Sequence, residues 1–201
     1  MSGAGASGAR FEPVYEHTGG LSVRLETAPR LGASGAPYTH HRLLVADGRT
    51  GAVILAVRGD ELLLVRSFRA SVGEDLWELP RGAGDAADAR PGAGMPFGLG
   101  ADAAPSLVTG VRELGEETGY RAARAELLGE YVIDSTVLPQ RMGVVVCELT
   151  LDAEPGPTDG EVDELGWFSW AQVRAFVREG TIADAHSLSA LARWFIERDA
   201  G

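Results

Sequence analysis

From Arg112 to Tyr120 the chain reads Arg-Glu-Leu-Gly-Glu-Glu-Thr-Gly-Tyr, three carboxylates and one guanidinium within nine residues. In an α-helix positions i, i+3 and i+4 share a face, so this spacing brings Glu113, Glu116 and Glu117 onto one arc. Leu107, Val111 and Leu114 fall on a different arc, which can be buried while the acidic arc faces a cleft. Pro105-Ser106 suits a helix start and Gly119 suits the left-handed residue just past a helix end, so a helix is expected over 106–118. Like charges at this spacing cost an isolated helix about 0.2–0.5 kcal/mol per pair, and Arg112 offsets only part of that through Glu116. A hard divalent cation relieves the remainder, because Mg²⁺ is held by one or two carboxylates with waters and substrate phosphates completing its shell. The competing reading is a solvated acidic face, the usual fate of a charge run.

Other elements must position this helix. Leu21–Thr27 and Tyr38–Ala46 read as strands separated by a turn-rich stretch from Pro29 to Pro37, after a small, polar start over residues 1–10. Gly51–Val57 and Glu61–Phe68 form a strand pair across Arg58-Gly59-Asp60. Leu76-Trp77-Glu78-Leu79-Pro80 reads as a strand end, and residues 83–104 as a Gly/Ala/Pro-rich loop. Arg124–Ile133, Arg141–Leu151 and Leu165–Trp170 supply further strands, while 171–179 and 183–198 carry helical apolar periodicity. Helices flanking a mixed sheet give an α/β/α sandwich.

Arg112–Tyr120 matches the second half of the Nudix hydrolase signature, R-E-U-x-E-E-x-G-U with U a bulky apolar or aromatic residue, at every fixed position. The first half, G-x5-E-x7-R, is disturbed. If Gly82 is the opening glycine it lies 30 positions before Arg112, 16 more than the family's 14, and Asp88 takes the place of the first Glu. Counting back from Arg112 lands instead on Gly98 and Ala104, a frame that loses the acid. The first frame is favoured, because Trp77–Pro80 leads naturally into Gly82.

The resemblance covers about Tyr38 to Ile196 and points toward the ADP-ribose and nucleoside-diphosphate-sugar pyrophosphatases. It implies a Nudix α/β/α sandwich with a mixed sheet over residues 51–201, interrupted by an insertion at about 83–104. An antiparallel strand extension over 1–50 would build a homodimer. The implied reaction is hydrolysis of a phosphoanhydride bond in a nucleoside diphosphate linked to a moiety X, giving nucleoside monophosphate and X-phosphate. Glu113, Glu116 and Glu117 would hold Mg²⁺, with Mn²⁺ as the alternative ion, and the backbone carbonyl of Arg81 would add a ligand. Arg112 would orient the carboxylates. In this subgroup the general base is often an acid on the loop before the last strand; Glu161 is the first choice, ahead of Asp163 and Glu164. Arg66, Phe68, Arg69, Gln140 and Arg141 are the candidate substrate ligands. A proline that ADP-ribose enzymes carry a short way past the signature is absent at Asp134-Ser135-Thr136, so ADP-ribose is one candidate among several. The alternatives are a Nudix-fold nucleotide sensor and a nucleoside triphosphate pyrophosphohydrolase. Sensors usually lose a metal carboxylate, and all three persist here.

Composition sets the outer limits. The 201 residues suffice for one substantial core, and the net charge of −11 disfavours nucleic acid as a partner. No apolar run is long enough to span a bilayer, and the first ten residues lack the apolar centre of a signal peptide, so no membrane partner and a cytoplasmic location are expected. All 18 basic residues are arginine. Cys147, the single cysteine, sits in an apolar run and reads as a packing residue.

Overall fold

The computed structural model describes residues 10–89 and 103–199. They divide into two compact units, one ending at Arg49 and taking in Val132–Gln140, the other comprising Thr50–Tyr131 and the chain from Arg141 onward.

In the first unit β1 (Glu12–His17), β2 (Val23–Leu31) and β3 (Pro37–Val45) form an antiparallel sheet in that order. β1 was not expected. Its Glu-Pro-Val-Tyr-Glu-His sequence lacks a buried apolar face, and all six residues are exposed. β2 continues to Leu31, into the stretch read as a turn, because Pro29 and Arg30 keep their register opposite Thr39 and Tyr38.

In the second unit the sheet order is β10 (Glu164–Ser169), β5 (Glu61–Arg69), β4 (Gly51–Arg58), β9 (Arg141–Glu148), β8 (Arg124–Val132). β4 runs parallel to β9 and antiparallel to β5, and the sheet is mixed. Residues 51–56 are all buried. That is the pattern of a central strand covered on both faces, where alternate side chains enter opposite cores. Val53 and Leu55 join Leu62, Leu64, Val144 and Val146 beneath α2 (Trp170–Glu179) and α3 (Ala185–Asp199), meeting Val173, Leu191 and Trp194. Ala52, Ile54 and Ala56 join Leu63, Val145 and Cys147 on the other face, against Val111 and Leu114 of α1 (Pro105–Thr118). The three helices thus sandwich the sheet, as expected. No helix among the described residues is long and apolar enough to cross a membrane.

Two departures from regular packing bring the signature residues together. β4 pairs with β5 only next to the turn, at Val57 and Arg58; farther along, its neighbour is β7 (Arg81–Gly82). β5 turns instead to β6 (Glu74–Glu78), so the chain leaving β6 crosses to β4 and delivers Arg81 and Gly82 under α1. The helix also lies close to the sheet at Gly110, where an added Cβ would stand 2.8 Å from Val145. Ordinary van der Waals contact would require the helix to lift away.

Candidate metal centre

α1 ends as its sequence requires, with Gly119 at φ 72° and its N–H bonded to the Gly115 carbonyl. On its apolar arc Val111 and Leu114 are buried, Leu114 completely, and Leu107 partly. The acidic arc is divided in two. Arg112 lies on one side as the centre of a charged knot. Its Nε and Nη2 donate to both Asp88 oxygens at 3.1 and 3.0 Å, Nη2 also to the Ala83 carbonyl, and Nη1 to Glu116 at 2.6 Å. Nη1 lies 2.9 Å from Glu113. Asp88 is 3 % exposed and accepts further bonds from the Asp85 N–H and the Thr109 hydroxyl. Burial alone would raise its pKa; the Arg112 hydrogen bonds and these donors more than offset that and hold it below the usual range. For Arg112, burial is outweighed by Asp88 and Glu113, and the guanidinium is held more firmly charged than usual.

Glu117 is on the other side, 5 % exposed, and its Oε2 accepts a single hydrogen bond from the Arg81 N–H at 3.0 Å. Burial pushes its carboxyl up to about 8, against the pull of that amide, and the charge of Glu113 adds to the rise. Glu113 is pushed to about 7 by burial, with Arg112 opposing. Gly82 shows why a glycine is needed: an added Cβ would fall 1.9 Å from the Glu113 carboxyl carbon. This close approach and the Asp88–Arg112 pair are what the frame that opens at Gly82 requires. Residues 90–102, which hold Gly98 and most of the 83–104 insertion, lie outside the described residues.

The expected convergence of the three carboxylates is not present as they stand. Among the described residues no three His, Cys, Asp or Glu side chains are grouped to hold an ion. The reason is visible in the partners: Arg112 draws Glu113 and Glu116 to itself, and Glu117 is turned to the Arg81 amide. The Arg81 amide is the group that meets Glu117. The donor set nonetheless suits a hard cation. Two carboxyls on adjoining turns are largely buried, and burial holds each toward its neutral form against the pull of Arg112 on Glu113 and of the Arg81 amide, Arg69 and Arg81 on Glu117.

The remaining candidates are scattered. Arg69 pairs with the buried Glu78 at 2.6 Å, and both line a cavity of about 330 Å³ with Arg81 and Asp184. That is within the size range of ligand pockets, about 300–1,000 Å³. Arg66 is occupied by Glu164 at 3.1 Å and Asp75 at 3.6 Å. Phe68 is 58 % exposed, and Arg141 is exposed at the start of β9. Gln140 belongs to the first unit, where its Nε2 donates to the Arg49 carbonyl. Asp163 and Glu164 are committed to β5, Asp163 accepting the Phe68 N–H. Glu161 is exposed, with its carbonyl near the Ser67 hydroxyl. A second cavity, of about 420 Å³, lies along the end of α1 between Arg112, Glu116 and Arg121 and the chain at Thr158–Asp159. Sequence reasoning missed two residues. Glu78 joins Arg69 to Arg81 while 1 % exposed, and only the rarity of buried unpaired acids hints at it. Asp159 ties its loop to the Glu116 carbonyl, and nothing in its spacing marks it.

No curated protein matches the sequence. Among solved structures, the crystal structure of an ADP compounds hydrolase superposes with a TM-score of 0.67 at 17 % identity, covering 98 % of this chain and 98 % of that one, a likeness of fold. The sequence profile of the NUDIX domain matches residues 48–191. The chain therefore belongs to the NUDIX domain family.

Proposed function

We propose that this protein cleaves the phosphoanhydride bond of a nucleoside diphosphate linked to a moiety X of the ADP-ribose or nucleotide-sugar kind, releasing nucleoside monophosphate and X-phosphate. The observation that carries this reading is the buried Glu113–Glu117 pair against Arg81–Gly82: two under-compensated carboxyls, with Glu116 one residue from Glu117, packed on the loop of the signature's opening glycine. Glu113, Glu116 and Glu117 would hold Mg²⁺. The ion supplies charge for the phosphates and lowers the pKa of a water.

The chain's own residues do the rest. Arg112, fixed by Asp88, would keep Glu113 and Glu116 within reach of the ion. Gly82 leaves the space that the Glu113 carboxyl occupies, and the Arg81 amide aims Glu117. Glu161 takes the proton from the attacking water, being the one of the three candidate acids, with Asp163 and Glu164, whose side chain is not bonded to β5. Arg69, at a cavity wall with Arg81, donates to the diphosphate or to X.

We read the protein as cytoplasmic and as a homodimer built through the N-terminal sheet. Val14 and Tyr15, at the bulge in β1, are 58 % and 57 % exposed, and Leu31 is 70 % exposed. Uncovered apolar side chains on a short sheet are what a partner surface would bury.

The test is a panel of ADP-ribose, nucleotide sugars, dinucleotides and nucleoside triphosphates, followed for Mg²⁺-dependent phosphate release. Cleavage confined to nucleoside diphosphate derivatives is expected. Exclusive turnover of triphosphates, or binding without turnover, would replace this reading with one of its alternatives.

A further inference from the structure

The segment that carries Glu161 is attached at two places. At the end of α1, the Gly156 N–H donates to the Gly119 carbonyl at 2.8 Å and the Asp159 N–H to the Glu116 carbonyl at 2.9 Å. The latter is one of the carbonyls that a helix end leaves without an intrahelical partner. The approach is close: a Cβ on Gly119 would fall 2.2 Å from the Gly156 carbonyl oxygen. At β5, the Ser67 hydroxyl donates to the Glu161 carbonyl at 3.4 Å, the Asp163 N–H to the Arg66 carbonyl at 3.0 Å, and the Phe68 N–H to Asp163 Oδ2 at 3.1 Å. Glu161 thus stands on a strap stretched from the metal-binding helix to the strand beside it. Between the attachments, the turn through Gly160 at φ 83° is closed by one side-chain bond, from the Glu161 N–H to Asp159 Oδ1 at 3.0 Å.

We propose that Asp159 is a positioning residue for Glu161. Its main chain is fixed to the Glu116 carbonyl and its side chain to the Glu161 amide, so one residue sets where the base stands relative to the carboxylates on α1. The inference rests on Glu161 being the base. It adds that the base is placed by bonds already made along the strap, and that removing Oδ1 lets Gly160 and the Glu161 side chain shift while the main-chain bonds of Gly156 and Asp159 to α1 and of Asp163 to β5 survive. The main-chain bond to Glu116 does not depend on the side chain at 159, which makes the side-chain bond separately removable.

The experiment measures kcat and KM with Mg²⁺ and ADP-ribose, or the nucleotide sugar that the wild type cleaves fastest, for Asp159→Ala, Asp159→Asn, Glu161→Gln and the Asp159→Ala/Glu161→Gln double variant. Misplacement of a catalytic group by about 1 Å costs about 100-fold, so Asp159→Ala should lower kcat about 10- to 100-fold with KM changed less than about twofold. Asp159→Asn keeps the accepting oxygen and should restore kcat to within about threefold of wild type, which a general loss of folding would not allow. In the Glu161→Gln background, Asp159→Ala should cost less than about a further twofold, because residues that act through one another are not additive. Wild-type kcat in Asp159→Ala, equal loss in Asp159→Asn, or the full loss repeated in the double variant would each overturn the positioning role while leaving Glu161 as base. Wild-type kcat in Glu161→Gln would remove the base itself, and the positioning role with it.

Discussion

Arg112 and Glu117 stand five residues apart on one helix, yet their surroundings are opposite. Around Arg112 every charge is answered: a bidentate contact to Asp88, two further carboxylates and a carbonyl. Around Glu117 a buried carboxyl receives one amide. The Asp88–Arg112 pair is complete with protein partners alone, whereas burial holds Glu117 toward its neutral form despite its one amide and the charges of Arg69 and Arg81. A protein that holds a metal on one helix needs both, a rigid frame to fix the helix against its loop and an uncompensated group to attract the ion.

The largest expected effect falls on the uncompensated side. Glu117→Gln should lower turnover by orders of magnitude while leaving the metal-free protein at least as stable, because a neutral amide suits that burial better than a carboxylate. Glu116→Gln should lower turnover comparably with almost no change in stability, its exposed pair with Arg112 being worth about 0.3–0.5 kcal/mol. Unchanged turnover in both would remove the acidic arc from the mechanism. On the compensated side the order reverses. Asp88→Ala should destabilise the protein by about 3 kcal/mol, as loss of one partner from a buried pair does, in denaturant or thermal unfolding. A loss of stability from Glu117→Gln as large as that from Asp88→Ala would erase the distinction between the two sides.

A smaller effect appears in pH dependence. Glu113 and Glu117 have folded pKa values of about 7 and about 8, above the ordinary 4.5. The folded state therefore binds their protons more tightly than the unfolded state does. Their contribution to stability is fully present below about pH 4.5 and is lost as pH rises through 7 and 8. Mg²⁺ competes with those protons, so the rise in Tm that it produces should be larger at pH 8 than at pH 6, by a few degrees. A Mg²⁺ shift independent of pH would place the ion elsewhere.

Much of this was legible in the sequence. The helix could be read because its i, i+3, i+4 spacing is local, and the central strands because continuous apolar runs such as Gly51–Val57 have few other places to go. Two kinds of feature were hidden. β1 has no buried face, so periodicity gives no sign of it. The partners of the acidic residues depend on which side chain reaches which neighbour first: spacing showed that Glu113, Glu116 and Glu117 share an arc, but not that Arg112 holds two of them and an amide the third. Likewise the shift of β4 from β5 to β7 arises from non-local pairing, and it is what brings Gly82 to Glu113 across 31 positions of sequence.

The most direct measurement is a crystal structure with Mg²⁺ and a non-hydrolysable nucleoside diphosphate analogue. The account predicts an ion bound by oxygens of Glu113, Glu116 and Glu117 at about 2.0–2.1 Å, with Glu116 released from Arg112 and a phosphate completing the shell. An ion bound away from α1, with Arg112 still holding Glu113 and Glu116 as it does now, would contradict it.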